Sequence, residues 1–236
     1  MGRAFEYRKE KKFKRWGAMA KAFTRIGKEI AISVKLGGPN PESNARLRQA
    51  IINAKGANMP KTNVEAAIKK ASSKDTTNYE EVTYEGYGPH GVAIVVDTQT
   101  DNTTRTVANL RTIFNKLNGA MGTQGSVEYM FQKKAVFKFP KGNHNIEELE
   151  FELIDHGLSE LQSDEETIIA YADFVDFGKL AKALEEKGIE VTESTYDKIP
   201  DFYKEGLTDE QAEEVIKLID RLEEDDDVSL VFHNMK

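Results

Sequence analysis

The chain contains no cysteine, and this absence excludes several kinds of chemistry. Without thiols there is no disulfide framework, no thiolate zinc site and no cysteine nucleophile, and the composition suits a reducing cytoplasm. No apolar run approaches the roughly 20 residues that a membrane-spanning helix needs. The first residues also lack the apolar segment of a secretory signal. The sequence therefore predicts a cytoplasmic protein with no membrane partner.

Recognisable catalytic and cofactor motifs are lacking as well. The segment GYGPHG at 86–91 fits the letters of G-x-G-x-x-G, but it contains a proline and precedes a strand-like run, so we interpret it as a hairpin turn. The acidic runs 164–166 and 223–227 lack the alternating oxygen pattern of a calcium loop, and we interpret the first as a solvated turn and the second as a solvated helix end. The histidines show no metal-ligand spacing; they are His90, His144, His156 and His233. We predict no catalytic residue, no metal, no cofactor and no small-molecule substrate.

A sharp separation of charge is the strongest feature that the sequence does contain. Residues 1–74 carry 18 Lys/Arg against 5 Asp/Glu, a net of +13, whereas the remaining 162 residues carry 15 against 35, a net of −20. Solubility alone could explain a charged surface. The positive charge, however, lies on a segment that also has the pattern of a folded domain. This combination favours a polyanionic partner, and we predict nucleic acid.

The basic segment has the pattern of a small helical domain. Apolar residues at helical spacing predict a helix over 19–36, a second over 41–57 and a shorter third within 64–71. We expect the second helix to begin with Asn40 as its N-cap and Pro41 at its first position. The short turn between the second and third helices is compatible with a helix-turn-helix, although such corners are common in all-α domains.

The next part of the chain has the pattern of an α+β fold. Strand-like runs at 79–87 and 92–98 flank the turn described above and predict a hairpin. Asp101-Asn102 is expected to cap a helix. A glycine-rich stretch then leads to a further predicted strand at 126–131.

The stretch 135–200 reads strand, helix, strand, strand, helix, strand, which is the ferredoxin-like order. A capping box from Thr208 to Gln211 predicts a last helix, and a closing strand follows at 228–234. One helix and one strand cannot form a domain, so we expect them to complete the sheet begun at Tyr79. The predicted domains are a basic helical domain at 1–75, a discontinuous α+β domain at 76–133 plus 205–236, and an inserted ferredoxin-like α+β domain at 134–204.

Two surfaces are candidates for nucleic-acid binding. In the first, cations supply phosphate contacts and interleaved aromatic rings can stack on unpaired bases, unless those rings instead anchor the arm on the helices. Its members are Lys9, Lys11, Lys12, Lys14, Arg15, Trp16, Lys21, Arg25, Arg46, Arg48, Lys55 and Lys61. In the second, glycine- and hydroxyl-rich loops expose backbone N–H groups suited to anions, although helix capping alone explains part of this pattern. Its members are Asn102, Thr104, Arg105, Thr123 and Gln124.

Four stretches, spread in order over nearly the whole chain, carry a family resemblance. They are KAFTRIGKEIAISVKLGGPNPESNARLRQAIINAKGANMPKTNVEAAIKKA, YEGYGPHGVAIVVDTQTDNTTRTVANLR, GTQGSVEYMF and LIDRLEEDDDVSLVFHN. Together they resemble the YebC/PmpR family, which includes the mitochondrial translational activator of cytochrome c oxidase subunit I. The chain departs from the usual family start, A-G-H-S-K-W-A-N-I-K, and has His90 where glycine is more usual.

The resemblance implies three domains, the third inserted in the second, and a cytoplasmic, non-enzymatic regulator. Members are described as transcriptional regulators that bind promoter DNA, and others as ribosome-associated factors that aid translation of difficult sequences. We therefore expect a DNA-binding transcriptional regulator, with a ribosome- or rRNA-associated translation factor as the alternative. A third hypothesis is an adaptor whose acidic ferredoxin-like unit docks a basic protein. For the oligomeric state of the protein, the prediction favours a monomer.

Overall fold

A computed structural model of the chain describes residues 19–73 and 77–236. Three helices come first, and two four-stranded antiparallel sheets with further helices follow. The predicted class, N-terminal helices joined to α+β structure, is confirmed at this level. Among the residues that the structure describes, no helix combines the length and the apolarity that a bilayer crossing requires.

The N-terminal helices pack around one apolar core. They are α1 (Met19–Gly37), α2 (Ala45–Gly56) and α3 (Lys61–Ala71). Helix α1 contributes Ile30 and Val34, and the other two helices contribute Leu47, Val64 and Ala71, all of them buried. These apolar side chains recur at helical spacing, which is why the sequence pattern found the helices.

The start of α2 differs from the prediction. Asn40 and Pro41 lie in a turn, and the N-cap is Asn44, whose Oδ1 accepts from the backbone N–H of Leu47 at 3.1 Å. The buried Asn44 amide also donates to the carbonyl of Ser33 at 2.7 Å and to a second carbonyl in the turn after α1. Because this side chain ties two helices together, it fixes the cap at position 44.

The remaining elements follow in chain order. They are β1 (Glu80–Tyr87), β2 (Ala93–Thr100), α4 (Thr103–Lys116), β3 (Ala120–Met121), β4 (Phe131–Pro140), α5 (Ile146–Ile154), β5 (Leu158–Ser163), β6 (Thr167–Asp173), α6 (Phe177–Glu186), β7 (Glu193–Pro200), α7 (Asp209–Glu223) and β8 (Val228–His233). The segment Pro89–Gly91 forms a tight 3-10 turn between the paired strands β1 and β2, so the hairpin is confirmed.

The first sheet has the strand order β3-β1-β2-β8. Its last strand, β8, pairs with β2, and the register places Ile94 opposite His233. Helices α4 and α7 cover one face and bury Phe114 and Leu218 against β2. The T-x-x-Q capping box is present at the start of α7, as predicted. The opposite face of this sheet carries Val95 and turns toward the second sheet.

The second sheet has the strand order β5-β6-β4-β7. Helices α5 and α6 pack on one face, where Phe137, Leu153 and Leu180 are buried in one cluster. The observed order of elements is strand, helix, strand, strand, helix, strand. The last of these strands was predicted to begin at Ile189, but it begins at Glu193.

The predicted strand at 126–131 is wrong. Residues Glu128–Met130 form a 3-10 turn, and the strand begins only at Phe131. The buried carboxylate of Glu85 explains the turn, because it accepts the backbone N–H groups of Val127 at 2.7 Å, of Glu128 at 2.8 Å and of Gly125. A segment whose N–H groups point at one carboxylate cannot pair them with a neighbouring strand.

We predict that Asn44→Ala destabilises the fold by about 2 kcal/mol, because it removes a helix cap and leaves two inward carbonyls without their donor. The matched control is Asn40→Ala, which removes one exposed bond to the N–H of Glu42 and should change stability by less than about 0.5 kcal/mol. Urea unfolding measures both variants. Equal effects would show that Asn44 does not cap α2.

Candidate nucleic-acid interface

Three cations on one face of α1 contact the end of α7. The chain positions of Lys21, Arg25 and Lys28 place them on successive turns of the helix. Lys21 Nζ donates to the carbonyl of Glu223 at 3.4 Å, and Arg25 donates to the carbonyls of Glu223 and Val228, both at 3.2 Å. The last carbonyls of a helix carry partial negative charge. Lys21 and Arg25, both predicted to bind nucleic acid, therefore stabilise the end of α7 in this structure.

A buried carboxylate, Asp227, lies at the centre of this contact. Its Oδ1 is 3.1 Å from Lys28 Nζ. Its Oδ2 accepts from Arg105 at 2.7 Å, from Thr106 at 2.9 Å and from Thr100 at 3.1 Å. Burial favours a higher pKa for Asp227, but the hydrogen bonds from Arg105, Thr106 and Lys28 hold that pKa below its ordinary value. The side chain is therefore a carboxylate at neutral pH.

Arg46 forms a second bridge between the helices and the first sheet. Its guanidinium binds Glu29 of α1 at 2.6 and 3.1 Å and Glu81 of β1 at 2.6 and 2.9 Å. Gln99 of β2 donates to Glu29 at 2.7 Å. Burial acts to raise the pKa of Glu81, but the bonds from Arg46 bring it below its ordinary value. The carboxylates of Glu29 and Glu81 thus offset the charge of Arg46, which the sequence predicted to bind phosphate.

The other predicted cations of the helices lie at the surface. Arg48 is exposed and donates to the carbonyls of Pro41 at 2.7 Å and Glu42 at 2.8 Å. Lys55 forms an exposed ion pair with Glu190, which lies before β7. The side chain of Lys61 is more exposed than that of Lys55. The remaining members of this predicted surface lie outside the residues that the structure describes; they are Lys9, Lys11, Lys12, Lys14, Arg15 and Trp16.

Two of the five members of the second predicted patch make contacts within the protein that define their role in the fold. Asn102 caps α4 by accepting from the N–H of Arg105 at 3.0 Å, and the Arg105 guanidinium binds Asp101 and Asp227. All five members of the patch are exposed, Thr104, Thr123 and Gln124 as well as the two that have these partners. In the glycine-rich loop 122–126, the N–H group of Gly125 already binds the carboxylate of Glu85, which also accepts from Val127 and Glu128 just after the loop. Anion binding by this patch stays a prediction.

A third network joins the two sheets through Asp97. The Asp97 carboxylate accepts from Lys198 at 3.0 Å, from Thr83 at 2.6 Å and from the hydroxyl of Tyr196 at 2.8 Å. Lys198 also contacts Glu128 at 2.7 Å. Burial and the neighbouring Asp97 charge raise the pKa of Tyr196, so its hydroxyl stays protonated and donates.

Sequence reasoning missed the residues that join these parts. Lys28, Asp97 and Asp227 were not singled out, and the acidic run at 223–227 was interpreted as a solvated helix end. One signal was available, since three cations on one face of α1 complement the carbonyls and acids that end α7. Among the described residues, no group of three or more His, Asp or Glu side chains could hold a metal ion.

Two family models cover almost the whole sequence. The model of the TACO1/YebC N-terminal domain matches residues 3–74, and the model of the TACO1/YebC second and third domain matches residues 79–235. The chain belongs to the TACO1/YebC family. The resemblance seen in the sequence is therefore confirmed.

Curated family members are similar over their full length. The chain is 58% identical to a "Probable transcriptional regulatory protein" of Flavobacterium johnsoniae, covering 100% of this chain and 99% of that protein. It is 56% identical to the protein of the same name from Porphyromonas gingivalis, covering 100% and 98%. A crystal structure of "a Conserved Hypothetical Protein Aq1575 from Aquifex Aeolicus" shares 39% identity and a TM-score of 0.82, covering 92% of this chain and 90% of that one. The names of the two curated TACO1/YebC relatives support a regulator role.

We predict that Asp227→Asn destabilises this TACO1/YebC protein by about 3 kcal/mol at neutral pH, because it leaves the buried Lys28 ammonium without its counter-charge. In the wild-type protein the contribution of this carboxylate is complete above the ordinary aspartate pKa of about 3.9 and is lost as the pH falls through the lower folded pKa. The difference between the two proteins should therefore shrink below about pH 4.

Asp226→Asn is the matched control for this prediction. The side chain of Asp226 is exposed, and only its carbonyl accepts from Lys28, at 2.7 Å. Urea unfolding at several pH values measures both variants. Equal stability of the two variants at pH 7 would contradict a structural role for the Asp227 carboxylate.

Proposed function

We propose that this protein is a non-enzymatic, cytoplasmic transcriptional regulator that binds DNA through its helical N-terminal domain. The observation that carries the proposal is the charge separation, +13 over residues 1–74 against −20 over the rest. Cations on a folded segment displace the counterions condensed on nucleic acid, and this release drives binding. The full-length relatives at 52–58% identity, all named probable transcriptional regulatory proteins, support the regulator role.

The three-domain division belongs to this proposal. We assign the basic helical domain to 1–75, the discontinuous α+β domain to 76–133 plus 205–236, and a ferredoxin-like insertion to 134–204. The pairing of β8 with β2 supports the discontinuous domain, and the order β5-β6-β4-β7 with two helices on one face supports the insertion. The two α+β domains are acidic and repel phosphates, so they restrict nucleic acid to the basic helical domain.

A ribosome- or rRNA-associated translation factor is the second candidate. The observation that favours it is the set of aromatic residues among the first cations, since such rings stack on unpaired RNA bases. They are Phe5, Tyr7, Phe13 and Trp16. Co-sedimentation with ribosomes, compared with binding to promoter fragments at one salt concentration, separates this candidate from the first.

An adaptor role is the third candidate. Helix α5 exposes 79% of Phe151 and 55% of Ile154 between glutamates, a surface that suits a basic and apolar protein partner. If this role were the main one, reversing Lys11, Lys12, Lys14 and Arg15 to Glu would leave the function of the protein intact.

We predict a steep salt dependence for DNA binding. If about six cations meet phosphates, the logarithm of the affinity should fall with the logarithm of the salt concentration at a slope near −5 for duplex DNA, or about −4 for a single strand. Fluorescence anisotropy with labelled promoter fragments over a salt series measures this slope. A slope flatter than about −2 would contradict phosphate binding by the helical domain.

A further inference from the structure

The further inference concerns the face of the helical domain that meets nucleic acid, and it rests on the proposed function. We propose that α3 is the helix that enters the major groove of duplex DNA, with Lys61, Lys69 and Lys70 on the flanking phosphates.

The basic face of α1 and Arg46 of α2 are committed to contacts within the protein, whereas Arg48 and Lys55 of α2 are exposed. The basic face of α1 docks onto α7 and onto Asp227. On α2, Arg46 lies between Glu29 and Glu81. A phosphate would have to replace these partners, and for the buried Lys28 it would have to open the contact between α1 and the first sheet. Binding at α1 would therefore cost stability.

Helix α3 presents its cations outward. Its apolar residues Val64, Ile68 and Ala71 pack on the other helices, and its three lysines are all exposed. The side chain of Lys61 is 89% exposed, and its ion pair with Glu65 spans 3.7 Å. Such exposed pairs contribute little. A DNA phosphate can therefore replace Glu65 as the partner of the Lys61 ammonium without disturbing the fold.

The turn before α3 holds the helix in a fixed position. Only four residues, 57–60, separate α2 from α3. Within this turn Asn58 adopts the left-handed conformation with φ 58°, and Met59 N–H donates to the carbonyl of Ala54 at 2.8 Å. Two helices joined by a short turn, with the second helix exposed, are compatible with a helix-turn-helix, in which the second helix enters the major groove.

The surface of α3 favours duplex DNA over other nucleic acids. Its sequence, KTNVEAAIKKA, contains no aromatic residue that could stack on an unpaired base. The major groove of A-form RNA is too narrow for side chains to read, whereas that of B-form DNA is about 12 Å wide and admits a helix. Thr62 and Asn63 are exposed in the first turn, where their polar groups can meet base edges.

The test uses the full chain and three labelled probes of one mixed sequence: a DNA duplex, the DNA single strand and the RNA duplex. We expect the wild-type protein to bind the DNA duplex most tightly. The variant K61E/K69E/K70E should lose at least about tenfold in affinity for the duplex at moderate salt, and its salt slope should flatten by about 3, because each lost phosphate contact removes about 0.9. The neutral variant K61Q/K69Q/K70Q should give a smaller loss in the same direction.

The matched control is K179E/K182E/K217E, which makes the same change in net charge at exposed lysines of α6 and α7. Thermal unfolding of each variant shows whether the fold is kept. If the α3 variant binds the duplex as well as the control does, the assignment of α3 is wrong while the proposed function stands. If the wild-type protein binds a single strand or the RNA duplex more tightly than the DNA duplex, insertion in the major groove is wrong. If it binds none of the probes, the proposed function and this inference both fail.

Discussion

The arrangement of this protein depends on one buried carboxylate. Asp227 lies between the last helix and the last strand, and it accepts from Lys28 of the helical segment and from Arg105 and Thr106 of α4. A charge in the interior is tolerated only when its partners remain in place. The helical segment must therefore stay docked on the first sheet, and the orientation of α1 is fixed by this requirement.

The docking gives the cations of α1 and those of α3 different tasks. Those on α1, together with Arg46, bind carbonyls and carboxylates of the protein and position the helices. Those on α3 face solvent and are available to a ligand. A count of positive charge over the first third of the chain therefore overestimates the number of phosphate contacts. The net charge points to the class of partner, and the internal contacts define the face.

Sequence patterns predicted the elements whose stability is local. The apolar stripes of α1 and α7, the capping box at Thr208 and the hairpin around Pro89–Gly91 are all determined by residues within a few positions of one another. The predictions that failed concern segments whose conformation depends on residues far away in the sequence. Asn44 caps α2 because it also binds the end of α1, and the segment before Phe131 turns because Glu85, about forty positions earlier, accepts its N–H groups.

The sequence likewise predicted one part of the candidate site and missed another. The sequence identified a cationic helical segment, but it could not show which lysines and arginines have partners within the protein. Arg46 and Lys61 look alike in a charge pattern. Yet within the described part of the chain Arg46 has Glu81 as a partner across 35 positions, whereas the ion pair of Lys61 is with its own helix neighbour Glu65. Such distant pairs follow from the tertiary fold, which local spacing does not encode.

Hydrogen–deuterium exchange of the full chain, with and without a saturating DNA duplex, identifies the face that binds DNA. DNA should slow exchange in the helical segment, most strongly along α3 and the turn before it, and should leave the amides of α5, α6 and their sheet unchanged. Protection confined to the acidic domains, with α3 exchanging as in the free protein, would contradict binding through α3.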